Sequence, residues 1–286
     1  MKARIMKWIP WSGKSTKAEE LARLNNAQII SKDIIREMYL DIKEDDVRKK
    51  ENELIWDAAS NERNIIVDNT HMSNMSISSV WALCIWLWYE IKIVDMVYEF
   101  NSPEEYLKIS KIRNRLREWK KRVPRSVIDE MYLSNFDLIW KSIYIVDIDW
   151  TLANSEHRQH FMEWKKDRNS FFNSMSKDTI IEPVKEVINI LRSQWNTIII
   201  VSGRPNTYWD ITEERLFSND VYYDYLLMRK SRDNRKDTEV KKDIYDNCIK
   251  RNSVSAVFDD RKSVIDMRRS QWLYVFNCSL LDNNDF

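Results

Sequence analysis

Short apolar runs recur along this chain, several of them closing on an acidic residue, and helical patterns separate them. Residues 3–9 form the first run, and NIIVD at 64–68, IYIVDID at 143–149 and AVFD at 256–259 are of the same kind. Such runs lack polar alternation, the pattern of strands buried on both faces. Strand–helix alternation leaves few architectures open, because parallel strands need covering crossovers of one hand. Further strands are expected at 27–30, 91–97, 198–202 and 274–277. Helices are expected at 15–24, 45–63, 78–89, 103–117, 126–134, 184–193, 239–251 and 263–270. The series restarts near 140. The expected fold is therefore α/β, with two doubly wound parallel-sheet domains at 1–139 and 140–286.

Glycine usage conflicts with this reading. The chain has 2 glycines and 13 tryptophans among 286 residues, where average usage would give about 20 glycines. Tight turns and phosphate cradles ordinarily need glycine. Hydrophobic content of 43% can fill a core, and a net charge of +1 gives no global pull toward polyanions, so any basic site is local. Cys84, Cys248 and Cys278 are scattered and form no CxxC pair. They argue against a disulfide framework or zinc site and for a reducing compartment. No secretory leader is recognised, and the most apolar stretch, 80–97, carries Glu90, Lys92 and Asp95. A soluble cytoplasmic protein without a membrane partner is expected.

Between the first strand and helix stands Trp8-Ile9-Pro10-Trp11-Ser12-Gly13-Lys14-Ser15-Thr16. The phosphate-loop pattern is G-x-x-x-x-G-K-[ST]. Gly13, Lys14 and Ser15 match it, and Trp8 occupies the first glycine's place. Backbone N–H groups of such a loop cradle phosphate, Lys14 would neutralise its charge, and the Ser15 hydroxyl would reach Mg²⁺. Residues 8 and 10–16 are the candidate ATP-binding set. Asp33, after the second strand, can take a proton from an attacking hydroxyl, with Arg36 three residues on as a phosphate ligand. The bland alternative is an N-cap beside a solvated face. Asp68 or Asn69 could hold metal or water, and His71 is a loop histidine. Residues 113–125 carry seven bases, Arg117 among them, against Glu118 alone. That is a local anion site for ATP phosphates or a nucleic-acid backbone.

In the second half, Asp147 and Asp149 end an apolar strand. The pair resembles the D-x-D-G-T signature of the haloacid dehalogenase superfamily, with Trp150 on its glycine. Ser202-Gly203-Arg204, then Lys241, then Asp259-Asp260 resemble that superfamily's later motifs, in order. The chemistry suits these residue types. Asp147 can attack phosphorus, and Asp149 can protonate the leaving oxygen. Ser202 and Lys241 can neutralise phosphoryl oxygens. Asp147, the Asp149 carbonyl and Asp259 or Asp260 offer oxygen ligands to Mg²⁺.

The order of these parts resembles the phage-type bifunctional polynucleotide kinase–phosphatases over almost the whole chain. The resemblance runs through IPWSGKST, Ser31-Lys32-Asp33 with Arg36, Arg113-Asn114, Arg117, Val123-Pro124, IVDIDWTL, IIIVSGR, Asp233 to Asp237 with Lys241, FDDR, and the Asn284-Asp285-Phe286 ending. It implies ATP-dependent phosphorylation of 5′-hydroxyl ends and Mg²⁺-dependent removal of 3′-phosphates through an aspartyl-phosphate. It further implies that Asp33 is the general base, that Arg36 holds the acceptor phosphate and that Arg117 covers the donor phosphates. Arg204 and Arg235 would bind the 3′-phosphate or its nucleic acid. DNA or RNA ends and ATP are the implied partners, and self-association stays open. The rival readings are a small-molecule kinase fused to a phosphatase and a non-catalytic end-binding module.

The tryptophans follow the motifs. Trp8, Trp11 and Trp150 sit on motif glycines. Trp88, Trp195 and Trp272 each precede a strand, at the place of a helix-ending glycine where φ is positive. Trp119 falls in the lid loop. Most of the thirteen are expected to be glycines, encoded by a UGA codon that the source organism reads as glycine. Trp56, Trp86 and Trp164 are expected to be true tryptophans.

Overall fold

The structure is a computed structural model. It describes residues 1–7, 12–39, 41–69, 74–117, 122–138, 142–163, 167–250 and 252–279. The chain divides into two compact units, Met1–Tyr132 and Leu133–Phe286.

The first unit runs β1 (Lys2–Lys7), α1 (Lys14–Asn25), β2 (Ala27–Ile30), α2 (Lys32–Met38), α3 (Glu44–Ser60), β3 (Asn64–Val67), α4 (Asn74–Trp86), β4 (Glu90–Asp95), α5 (Pro103–Arg115) and α6 (Arg125–Leu133). Its four strands form a parallel sheet in the order β2-β3-β1-β4. Ile5 lies beside Val67 on one side and Ile93 on the other. Burial of Ala3, Ile5, Ile30, Ile65 and Val67 against Ile55, Ala58, Val80 and Cys84 makes one core. Each such aliphatic side chain contributes about 1.5–3 kcal/mol on leaving water. The sequence also starts and stops these helices. Ser102 caps α5 by accepting from the Glu105 N–H, with Pro103 in the first turn.

The second unit runs β5 (Ile143–Val146), β6 (Ala153–Asn154), α7 (His160–Glu163), α8 (Arg168–Asn173), β7 (Thr179–Ile180), α9 (Glu182–Ser193), β8 (Thr197–Pro205), α10 (Trp209–Ser218), β9 (Tyr225–Arg229), α11 (Asp237–Ile244), β10 (Val254–Asp259), α12 (Lys262–Ser270) and β11 (Val275–Asn277). Five strands form a parallel sheet ordered β11-β10-β5-β8-β9, and β6 and β7 pair as a small antiparallel ribbon. The chain proceeds from β5 toward β8 and β9, then turns back to β10 and β11. The carboxyl ends of β5 and β10 therefore flank a topological switch point, where doubly wound sheets leave a crevice.

Both parallel sheets agree with the alternation in the sequence. The pattern did not reveal α10 or β9. Helix α11 ends at Ile244 and continues as a π-helical turn over Tyr245–Ile249, short of the expected 251. Among the described residues no helix is long and apolar enough to cross a membrane.

Candidate active sites

In the first unit, Gly13 begins α1 with φ 99, a left-handed conformation. A Cβ on it would lie 2.5 Å from Arg113 Nη1, which donates to the Ser12 carbonyl at 2.5 Å. The positive φ favours glycine there, and a side chain would also displace the Arg113 guanidinium. Lys14 is buried, with Nζ 3.6 Å from Asp33 Oδ2 and 3.6 Å from Asp68 Oδ1. The Ser15 hydroxyl also reaches Asp68. Burial pushes the Asp68 carboxyl up, Lys14 opposes that shift, and Asp33 adds to it. Arg36 donates to Asp33 Oδ1 at 2.7 Å and to Glu44 Oε1 at 2.8 Å. Arg117 is within electrostatic reach of Asp33. Phosphate-loop lysine, Asp33, Arg36 and Asp68 thus converge at the carboxyl ends of β1, β2 and β3. Thr16 lies exposed on the first turn of α1.

Two buried supports hold this site: Glu51, which carries no recognisable sequence signal, and Asn114, which belongs to the resemblance. Glu51 of α3 is buried, paired with Lys32 Nζ at 3.3 Å and accepting from Asn69 Nδ2, while Asn69 Oδ1 accepts from the Lys32 N–H at 2.8 Å. This network ties the start of α2, which carries Asp33, to the end of β3. Asn114, also buried, exchanges hydrogen bonds with both the carbonyl and the N–H of Val123, at 2.7 and 2.9 Å. It holds together the two ends of the segment that follows Arg117. Trp8, Pro10, Trp11, His71, Trp119, Trp164 and the 284–286 ending lie outside the described residues.

In the second unit, three adjacent strands deliver the motif residues to one place. Asp147 follows β5, Ser202 is within β8, and Asp259 ends β10, with Asp260 next. Carboxylate oxygens of Asp147, Asp259 and Asp260, all buried, lie within 4.8 Å of one another. Lys241 of α11, 1% exposed, places Nζ 3.0 Å from Asp147 Oδ1, 2.9 Å from Asp259 Oδ2 and 3.4 Å from Asp237 Oδ2. Thr151 donates to Asp260 Oδ1 at 3.2 Å. A Cβ on Gly203 would stand 2.1 Å from Asp237 Oδ1, so a side chain there would push the Asp237 carboxylate off its place. An all-oxygen, buried trio suits a hard divalent cation such as Mg²⁺.

Asp149 faces other partners. Arg204 donates through Nε to Oδ2 at 3.0 Å and through Nη2 to Oδ1 at 2.6 Å. Arg158 also donates to Asp149 Oδ1. Asp178 also accepts from both guanidiniums, at 2.6 Å from Arg204 Nη2 and 2.8 Å from Arg158 Nε. Ser202 is buried, its hydroxyl accepting from the Arg204 N–H at 3.2 Å. Arg158 and Asp178 escaped the sequence reading, since each is tied to its partners only through the fold. Arg235 stands apart at the surface, paired with Asp233 and Asp243.

These surroundings drive two carboxyls two residues apart in opposite directions. Burial pushes Asp147 well above the ordinary carboxylate range; Lys241 opposes this, and Asp259 and Asp260 reinforce it. For Asp149 burial acts in the same sense, but Arg204 and Arg158 overcome it and hold the carboxyl far below that range. Burial and the charge of Asp259 push Asp260 up to about 6. Lys241 is held protonated, its burial outweighed by Asp147, Asp237 and Asp259.

Comparison with known proteins follows this division. Residues 141–286 match the family described as "Polynucleotide kinase PNKP phosphatase domain". Residues 9–138 match one described as "AAA domain". Among solved structures, the chain is similar to one titled "Structure of Pnkp1/Rnl/Hen1 complex", at 25% identity over 99% of this chain and 97% of that one, with a TM-score of 0.43. It is also similar to a class C acid phosphatase from Bacillus anthracis with tungstate bound, at 12% identity over 49% of this chain and 68% of that one, with a TM-score of 0.36. Among curated proteins none matches.

Proposed function

Because the chain belongs to the polynucleotide kinase PNKP phosphatase-domain family, with an AAA domain preceding it, and is thereby a polynucleotide 5′-kinase and 3′-phosphatase, we propose the following division of labour among its residues. The kinase module takes residues 1–139 and the phosphatase module 140–286.

In the kinase module Asp33 accepts the proton of a nucleic acid's 5′-hydroxyl as that oxygen attacks the γ-phosphorus of ATP. The bond to the β,γ-bridging oxygen breaks, and ADP leaves. The observation that supports this role is the placement of Asp33 3.6 Å from the phosphate-loop Lys14. Arg36 is a second ligand for the acceptor end, and Arg117 reaches the donor phosphates. Ser12, Gly13, Lys14, Ser15 and Thr16, with Trp8, Pro10 and Trp11 before them, bind ATP. Ser15 and Asp68 would hold its Mg²⁺.

In the phosphatase module a carboxylate oxygen of Asp147 attacks the 3′-phosphate phosphorus and forms an acyl phosphate. The ester oxygen leaves with a proton from Asp149, and Asp149 then takes a proton from the water that hydrolyses the acyl phosphate. Ser202, Arg204 and Lys241 stabilise the phosphoryl oxygens. Asp147, the Asp149 carbonyl and Asp259 or Asp260 would hold Mg²⁺, which supplies charge neutralisation at the phosphate when bound. The observation that supports the assignment is the placement of Asp147 beside Lys241, with Nζ 3.0 Å from its Oδ1, and within the carboxylate trio it forms with Asp259 and Asp260. The described cysteines are free thiols, which fits a reducing compartment such as the cytoplasm.

Two single variants test the division. Asp33→Ala should abolish 5′ phosphorylation and leave 3′ dephosphorylation intact, and Asp147→Ala should do the reverse, with both activities read on one end-labelled oligonucleotide. Loss of both activities from either change refutes the two-site assignment.

A further inference from the structure

Four tryptophans occupy a backbone conformation that an indole has no reason to adopt. Trp88, Trp150, Trp195 and Trp272 have φ of 61, 64, 66 and 64, all in the left-handed region. There a Cβ crowds the following carbonyl, and the routine occupant is glycine, or Asn and Asp with their short polar side chains. Among the described residues five polar ones share the region, Asn26 and Asp220 among them. A bulky aromatic is the least suited of all to it.

Three of the four sit at the residue just past a helix. The Trp88 N–H donates to the Ile85 carbonyl at 2.9 Å, and the Tyr89 N–H to Cys84 at 3.0 Å. Trp272 and Leu273 repeat the pair, to Arg269 at 2.9 Å and Arg268 at 3.2 Å. Trp195 donates to Arg192 at 3.0 Å. This is the glycine-terminated helix end, in which the last carbonyls are satisfied by a left-handed residue. Packing does not compensate, because these three side chains are 88%, 86% and 94% exposed. Other tryptophans behave as tryptophans. Trp56 and Trp86 pack edge to face at 4.7 Å, and Trp209 is buried in the core of the second unit.

Trp150 lies in the catalytic turn. Its N–H closes the turn onto the Ala153 carbonyl at 2.8 Å, and the next residue, Thr151, holds Asp260. The turn carries Asp149 on one side and a metal-trio contact on the other, so its conformation is fixed by the site.

We propose that residues 88, 150, 195 and 272 are glycine in the natural protein. UGA codons that its source reads as glycine have been rendered as tryptophan, and the phosphatase turn is a glycine turn. The inference rests on backbone geometry and does not depend on which phosphoester the site accepts.

The decisive experiment reads the codons at 88, 150, 195 and 272 and sequences the corresponding peptides of the natural protein by tandem mass spectrometry. UGA codons with glycine masses are expected. UGG codons, or tryptophan masses, overturn the proposal. A second measurement uses the chain as written, with Trp→Gly and Trp→Ala variants at 88, 195 and 272. Alanine keeps the Cβ penalty, so only glycine should raise the melting temperature, by about 3–4 °C per site. Equal gains from alanine and glycine would mean that only an exposed indole had been removed, and would count against the inference. Neither readout uses activity, so failure of the catalytic assignments would leave it standing.

Discussion

Replacing Lys241 by methionine removes one positive charge from among three carboxylates and keeps the volume nearly unchanged. Its ammonium lies 2.9–3.4 Å from Asp259, Asp147 and Asp237. Removing one partner of a buried pair costs about 3–5 kcal/mol, because the remaining charge is left uncompensated. Here three carboxylates lose the same partner, so the upper part of that range applies in metal-free buffer. The cost must depend on pH. Asp147 already sits above its unfolded value and Asp260 is pushed up to about 6. Without Lys241 both move further up. A carboxyl whose folded pKa exceeds its unfolded one binds more protons when folded, so stability falls as pH rises through that interval. Urea unfolding of Lys241→Met in EDTA should therefore show a larger deficit against the parent at pH 8 than at pH 5.5. Mg²⁺ should restore more stability to the variant than to the parent, since the metal supplies the missing charge. Phosphatase turnover should vanish while 5′-kinase activity persists. A deficit under about 1 kcal/mol, or one equal at both pH values, would refute the reasoning.

Gly203→Ala puts a methyl 2.1 Å from Asp237 Oδ1; a loss of about 1–3 kcal/mol in denaturant unfolding is expected, together with a drop in phosphatase activity, and a neutral effect would mean that the Asp237 carboxylate moves aside freely. In the parent protein, metal-free stability should fall between about pH 4 and 6 as Asp260 ionises, since its folded value of about 6 lies above the unfolded carboxyl range; Mg²⁺ should flatten that slope, as followed by thermal melts across pH. Arg204→Lys keeps the charge but cannot reproduce the two-nitrogen grip on Asp149, so phosphatase kcat should fall at least tenfold with 5′-kinase activity unchanged, and wild-type turnover would exclude a role for the fork.

The sheets could be read from the sequence because each central strand is a short β-branched run that cannot sit in solvent. The motif residues could be read because they lie at the ends of those strands. Strand β9 escaped because Leu226, Leu227 and Met228 are good helix formers, and pairing with β8 overrides that preference. Arg158 and Asp178 were not visible for a different reason. Residues 158, 178 and 204 are scattered, and nothing in their spacing marks a common partner; only the fold brings them to Asp149. Glu51 looked like one acid among many on a polar helix, and its burial depends on Lys32 and Asn69 arriving from other elements. The left-handed tryptophans were visible in advance because a helix end and a motif turn dictate φ at fixed positions, whatever residue is written there.

The depressed Asp149 carboxyl presents a conflict that the geometry itself resolves. A general acid must carry a proton when the leaving oxygen departs, yet two fully buried arginines keep Asp149 ionised. Both guanidiniums divide their hydrogen bonds between Asp149 and Asp178, and a phosphate dianion that reached these donors would compete with the carboxylates for them. Asp178 accepts from both guanidiniums and would keep hold of them if their bonds to Asp149 were given up. Each hydrogen bond that shifts from Asp149 to the phosphate removes part of what lowers its pKa, while the burial that raises it persists. Arrival of the substrate would thus convert Asp149 from a locked anion into a group able to hold a proton.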